Sequence, residues 1–312
     1  MSVVKSIELV IPKEAYVAGS TVEGQLILSL HSTLVDPLLK VELIGRGYLE
    51  WTEEANMEKD YIQPATCVNK ADYVHKLKTF KIERNWLGPG VHTFDFDFVL
   101  PPSIPSTFTS RVGRICYFLQ ALCATRELIL GKQKKYILVQ GISLHRQDTV
   151  ESEYPLVVEV QKVLPYNCCV RSAPITLCMS LSKSTYAPGD NIVFTTEITN
   201  PMRKSIWKVV FTLQSVVLYK AFNFRAERRT LEQREEMMRL ESNIERGPCE
   251  FTKIRSTLCL PKVMPVTSNR KSDDIMEIGY ELTGTVHFPW CLNTVLAKIP
   301  IVVRNEATNF PE

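Results

Sequence analysis

The most constraining feature of this sequence is a set of matches between its two halves that keep the same order. Tyr16-Val-Ala-Gly19 pairs with Tyr186-Ala-Pro-Gly189, and Leu39-Lys-Val41 with Trp207-Lys-Val209. Gly88-Pro89 pairs with Gly247-Pro248. Leu100-Pro101 through Pro105-Ser-Thr107 and Leu260-Pro261 through Pro265-Val-Thr267 both read LPxxxPxT. Ile115-Cys-Tyr117-Phe-Leu119 pairs with Ile278-Gly-Tyr280-Glu-Leu282. Ordered matches of this kind mark a tandem duplication of one structural unit. Each block has a physical meaning. Tyr-x-x-Gly predicts a turn with glycine at positive φ ahead of a strand. In LPxxxPxT the first proline ends a strand, because it has no N–H for the ladder, and the second keeps the following segment extended.

The repeated unit is a β unit. Apolar residues alternate with period two in segment after segment, the pattern of half-buried strands. Ile7, Leu9 and Ile11 share a face, as do Val22, Leu26, Leu28 and Leu30. Phe94, Phe96, Phe98 and Leu100 alternate with Asp95 and Asp97, and Ile175, Leu177, Met179 and Leu181 continue the series. Asp36-Pro37, Gly88-Pro89-Gly90, Pro101-Pro102, Pro188-Gly189 and Asn200-Pro201 punctuate the strands. Nearly all the amphipathic helices that a parallel α/β sheet needs are missing, so the expected fold is all-β, two tandem antiparallel sandwiches of the immunoglobulin type. At 312 residues the chain has room for two such domains. The expected organisation is a sandwich over 1–148, a connection over 149–171, a second sandwich over 172–304 and a short tail over 305–312. Residues 225–246 (RAERRTLEQREEMMRLESNIER) are rich in helix formers, with opposite charges at Arg228/Glu232 and Glu235/Arg239. They form an exposed charged excursion, either a helix or a long hairpin.

Charge and cysteine usage exclude several function classes. The net charge of +3 is too balanced for a surface built to hold nucleic acid. No apolar run approaches the roughly 18 residues of a membrane helix. Lys5, Glu8 and Lys13 interrupt any leader-like stretch at the start, and Ser2 stands where myristoylation needs glycine. Nine cysteines, an odd number, and no Asn-x-Ser/Thr acceptor point to free thiols in a reducing cytoplasm.

In its motifs the chain resembles the arrestin fold, and specifically the arrestin-domain-containing (α-arrestin) family. The resemblance rests on Gly45-Arg-Gly-Tyr-Leu-Glu-Trp51-Thr-Glu53, with Gly47 where the family has alanine, and on Phe94-Asp-Phe96-Asp-Phe98-Val-Leu100-Pro101. Gly113-Arg-Ile115-Cys-Tyr117-Phe-Leu119, Tyr186-Ala-Pro-Gly189-Asp, Asn200 and Ile299-Pro300-Ile301-Val302 extend it over almost the whole chain. It implies two arrestin-like sandwiches of seven or eight strands joined by a short hinge. It also implies a non-enzymatic cytosolic adaptor that binds cargo tails and sorting machinery and is recruited peripherally to the plasma membrane or endosomes. The alternative within the fold is a retromer-like coat scaffold without its own cargo selection. The sequence departs from the family in holding no Pro-Pro-x-Tyr, so direct WW-domain binding is not expected. The basic phosphate-sensing cluster of visual and β-arrestins has no counterpart here that can be aligned.

No catalytic constellation emerges. His31, His75, His92, His145 and His287 form no zinc spacing, and no nucleophile elbow or phosphate loop is present. No cofactor or metal is therefore expected. Asp95 and Asp97 read as a solvated strand face. The vicinal Cys168-Cys169 lacks redox spacing. Two sets invite a binding role. Arg126, Lys132, Lys134 and Lys135 flank Gly131 and are candidates for an anionic lipid or phosphorylated tail, against the plain reading of a solvated hairpin tip. The stretch 52–75 reads as a long polar connection carrying Tyr61, Ile62, Tyr73 and Val74. Since the resemblance places cargo binding on loops at the hinge-facing edge, these four are the partner-binding candidates.

Overall fold

The computed structural model describes residues 3–53, 64–142, 156–163, 173–203, 205–242, 249–268, 274–289 and 294–305. They are all-β, and they divide into two compact units. The first comprises Met1–Leu144 with Tyr219–Thr230 and Lys271–Ile275; the second takes His145–Leu218, Leu231–Arg270 and Met276–Glu312.

The strands of the amino-terminal half are β1 (Val4–Val10), β2 (Ala15–Val17), β3 (Thr21–Leu30), β4 (Leu34–Val35), β5 (Leu38–Glu53) and β6 (Ala65–Phe80). They continue as β7 (Trp86–Leu87), β8 (Gly90–Val99), β9 (Phe108–Thr109), β10 (Gly113–Ala124) and β11 (Ile129–Gln140). One sheet has the order β1-β3-β8 and the other β6-β5-β10-β11, with β2 parallel beside β11. Val22, Leu26 and Leu28 from the first sheet and Leu43, Tyr117 and Leu119 from the second have no accessible surface. They are the inward half of the alternation seen in the sequence, and the outward half is polar.

The second half holds β12 (Leu156–Lys162), β13 (Ile175–Leu181), β14 (Thr185–Tyr186), β15 (Asn191–Thr199), β16 (Lys208–Phe222) and β17 (Arg228–Ser242). The series closes with β18 (Phe251–Cys259), β19 (Met276–His287) and β20 (Val295–Val303). One sheet is β12-β13-β15-β18 and the other follows β20-β19-β16, with β17 on β16 and β14 parallel beside β20. Phe194 and Phe211 meet edge-on at 4.8 Å in its core.

The duplication is visible in individual hydrogen bonds. Gly19 and Gly189 both take positive φ, +86° and +89°, and close matching turns through Ser20 N–H to Val17 O and Asp190 N–H to Ala187 O. The LPxxxPxT segments lead from β8 toward β10 and from β18 toward β19. Both are pinned by the same two devices. The Tyr117 hydroxyl donates to Pro105 O and that of Tyr280 to Pro265 O, each at 2.7 Å. Thr107 N–H donates to Val139 O while its Oγ1 accepts from Val139 N–H, and Thr267 repeats both bonds with Val303. The repeated spacing thus secures a strap between sheets in each half, each bond worth about 1 kcal/mol net.

The structure decides one open reading and changes two others. Of the two forms left open for residues 225–246 it takes the hairpin: they contain the strand β17 on β16, because the edge of β16 offers a ladder that outweighs local helix propensity. In the strand, residues two apart share a face, so Arg234 bonds Glu232 and Arg239 bonds Glu241 in place of the helical spacing. The stretch 52–75 is not one long loop. Thr52 and Glu53 pair with Thr66 and Ala65, and β6 runs on from there. Part of the expected connection, Leu156–Lys162, is also a strand, paired along β13.

Candidate functional site

Outward-facing residues of β6, β5, β10 and β11 build a groove of about 710 Å³ on the open sheet face of the first unit. Register decides who meets whom. Tyr48 lies between Lys70 on one side and Arg114 on the other, Arg46 between Asp72 and Cys116, and Phe118 beside Tyr136. Beneath them, Gly45 and Gly47 face inward. A Cβ on Gly45 would sit 2.5 Å from the Tyr117 ring, and one on Gly47 would sit 2.5 Å from Ile275 Cδ1. The close approach explains why glycine stands at 47 where the related motif has alanine.

Four cations line the groove (Arg46, Lys70, Arg114 and Lys134) against one carboxylate, Asp72. Arg46 Nε reaches Asp72 at 3.1 Å, and both side chains are mostly exposed. Among the described residues the other three have no ion pair. Lys134 Nζ instead stands 3.5 Å above the Phe118 ring and 4.6 Å from that of Tyr136, and Lys70 Nζ lies 5.7 Å from the Tyr48 ring. Two nearby carboxylates are already engaged. Glu42 accepts from Lys40 and Gln120, both at 3.0 Å. Although its desolvation acts the other way, these partners hold its carboxyl below the ordinary range. Glu50 accepts the Tyr48 hydroxyl, which lifts that phenol above its usual value. The result is a rigid, cation-rich trough with aromatic faces, suited to an extended anionic chain.

The residues singled out from sequence are only partly brought together. Lys134 lines the groove, and Lys132 shares its strand face. Lys135 pairs with Leu119 on the inward-facing side, and Arg126 sits at the hairpin tip, so the four do not converge. Val74 is corrected from surface to core: it is buried, beside the position of a Gly45 Cβ. Tyr73 is half-buried, its hydroxyl has no hydrogen-bond partner among the described residues, and burial pushes its phenol well above the usual value. The cause is a bulge in β6 opposite Gly45/Arg46, which turns Tyr73 and Val74 both inward. Tyr61 and Ile62 lie outside the described residues, as do His145, Cys168 and Cys169. Asp95 accepts from Gln25 and Asp97 from Lys78, as a solvated strand face requires. Six described cysteines are free. Among the described residues no cluster could hold a metal ion, and no helix is long and apolar enough to cross a membrane.

Sequence reasoning missed Arg46, Lys70 and Arg114. Arg46 and Arg114 occur within the quoted Gly-Arg motifs, on the polar half of the alternation. Only the antiparallel register makes them neighbours.

Comparison with known proteins agrees with this architecture. Residues 6–143 match the family described as Arrestin (or S-antigen), N-terminal domain, and residues 171–306 match Arrestin (or S-antigen), C-terminal domain. The chain is 50% identical to Arrestin domain-containing protein 5 of Bos taurus, covering 98% of this chain and 92% of that one. It is 48% identical to the Homo sapiens protein of the same name, over 99% and 90% of the two chains. Similarity to Arrestin domain-containing protein 17 of Caenorhabditis elegans is 26%, over 95% and 71%.

Proposed function

The chain belongs to the arrestin family, generally trafficking adaptors, and from that premise we propose that it is a non-enzymatic cytosolic adaptor for membrane-protein sorting. In this reading it binds acidic cytoplasmic tails of cargo and links them to trafficking or ubiquitin machinery, which recruits it to the plasma membrane or endosomes. The observation that carries the reading is the groove of the first unit, where four cations meet one carboxylate on a rigid sheet. A tail lying across β5 and β10 would place carboxylates or phosphates near Arg114, Lys70 and Lys134 while its backbone packs on Tyr48 and Tyr136. Tyr61 and Ile62, in the connection between β5 and β6, are assigned to the same partner.

The test is titration of the intact protein with acidic peptides derived from membrane-protein tails, at several salt concentrations. Arg114→Ala with Lys134→Ala should weaken binding by roughly tenfold and flatten its salt dependence. Arg234→Ala with Arg239→Ala, on the corresponding face of the second unit, should leave it intact. Equal affinity for wild type and the Arg114/Lys134 variant would remove the groove from the reading.

A further inference from the structure

The strand registers gather several ends of the first unit's strands in one place. Val4 pairs with Leu30, and Leu30 with Gly90. Leu39 pairs with Phe80, Leu38 with Ala124, and Ala124 with Ile129. The short connections 31–37 and 81–89 join the two sheets at this same end, and the β10–β11 hairpin turns there. On these connections and the strand ends that adjoin them stand five large apolar side chains facing water: Val35 (63% exposed), Leu38 (46%), Trp86 (45%), Leu128 (65%) and Ile129 (65%).

They are held, not trailing. Val35 and Trp86 are a cross-strand pair in the two-residue ladder β4–β7, whose other pair, Leu34 and Leu87, is buried. Asp36 and Asn85 adopt left-handed φ of 48° and 52°, and Asp36 N–H donates to Asn85 O at 2.8 Å. Thr125 N–H donates to Leu128 O at 2.8 Å and shapes the hairpin tip. Leu38, Ala124 and Ile129 form a row across three strands. Five exposed cations surround the apolar tips: Lys5, Lys81, Arg84, Arg126 and Lys132. None forms an ion pair among the described residues, and the acids at this end are Asp36, Glu83 and Glu127.

We propose that this end of the first unit docks reversibly on an anionic lipid surface. Trp86, Val35, Leu38, Leu128 and Ile129 enter the interfacial layer while the cations meet headgroup phosphates and carboxylates. Three features favour lipid over a protein partner. The apolar side chains stand at the turns and strand ends of one end of the unit, and none of the five lines the basic groove. A tryptophan among aliphatic residues suits the headgroup level of a bilayer. The cation excess matches the negative potential of anionic leaflets, and shallow insertion plus weak attraction together give reversible attachment where either alone is marginal. The site goes beyond the adaptor reading and does not rest on it, because it shares no residue with the groove.

The experiment uses the intact protein and protein-free vesicles of phosphatidylcholine, with and without phosphatidylserine. Wild type should float with the anionic vesicles and only weakly with the neutral ones. Trp86→Ser with Leu128→Ser and Ile129→Ser, all at exposed positions, should reduce flotation by roughly tenfold without altering the circular dichroism spectrum. Arg84→Ser with Arg126→Ser should reduce it on anionic vesicles alone. Brominated lipid should quench the fluorescence of wild type, and Trp86→Phe should abolish most of that quenching while retaining flotation. Absence of flotation on anionic vesicles, equal flotation of the triple variant, or quenching that persists in Trp86→Phe would each overturn the proposal. So would a triple variant that loses a protein partner while wild type never binds vesicles. Acidic-peptide titration is independent of all these outcomes, so failure here leaves the adaptor reading standing.

Discussion

The open sheet faces of the two units share their strand pairing and differ in their electrostatics. On the first, Lys70, Arg114 and Lys134 stand without carboxylate partners among the described residues. On the second, the lining residues of a smaller groove of about 320 Å³ are tied into ion pairs: Arg239 with Glu241 and Glu236, and Lys298 with Glu281, while Lys208 also pairs with Glu241. Arg234 joins them by bonding both Glu232 and Glu281. Thr212 and Thr283, both buried, bond each other in the second unit. Duplication has therefore kept the inward residues and the straps and left the outward faces free to diverge. A sheet face contributes little to folding, so a cation excess is tolerated on one copy and neutralised on the other.

The largest expected effects sharpen the structural side of this comparison. Gly45→Ala would drive a Cβ to 2.5 Å from the Tyr117 ring and 2.7 Å from Val74, both fixed in the core. It should destabilise the first unit by about 2–3 kcal/mol in urea unfolding. Gly284→Ala would meet Met179 Sδ at 2.5 Å, but a thioether can rotate away, so a loss nearer 1 kcal/mol is expected. Equal losses would show that the two cores are equally stiff.

Next come the strap tyrosines. Tyr117→Phe and Tyr280→Phe each remove one hydroxyl from a proline carbonyl and should each cost about 1–2 kcal/mol. A clear inequality between them would break the equivalence of the two straps. Smaller still, Arg239→Gln should leave the unfolding midpoint nearly unchanged, because its pairs are exposed and solvent-screened. Arg114→Gln should be neutral within about 0.5 kcal/mol, since no ion pair is lost. If Arg114→Gln proved the more destabilising, the contrast between the faces would need another origin.

The smallest effect is on pH dependence. Burial, then Lys208 and Arg239, hold the His287 imidazole below its ordinary value. Its protonation is thus favoured in the unfolded chain, so stability is fully present above the ordinary imidazole range. It declines as pH falls toward the lower folded value and levels off below it. His287→Gln should flatten that slope in thermal unfolding of the second unit. An unchanged slope would assign it to other groups.

The alternation of Phe94, Phe96 and Phe98 with Asp95 and Asp97 was enough to say which side of a strand is wet, and the repeat was enough to say that there are two sandwiches. Both are local statements, set by the period of two and by turn residues such as Gly19 and Gly189. The β17 strand was beyond local reading, because RAERRTLEQREEMMRLESNIER prefers a helix until the edge of β16 offers it hydrogen bonds. The bulge at Tyr73 was equally hidden. One extra residue in β6 reverses the alternation and moves Val74 from expected surface to core, and no composition signal marks it. The groove depended on tertiary structure most of all. Arg46, Lys70, Arg114 and Lys134 are far apart in the chain; Lys134 stood out as an anion-binding candidate, but the other three were legible only as outward residues on their own strands. Antiparallel register, chosen by the packing of Leu43, Tyr117, Leu119 and Ile137 beneath them, set these four charges side by side.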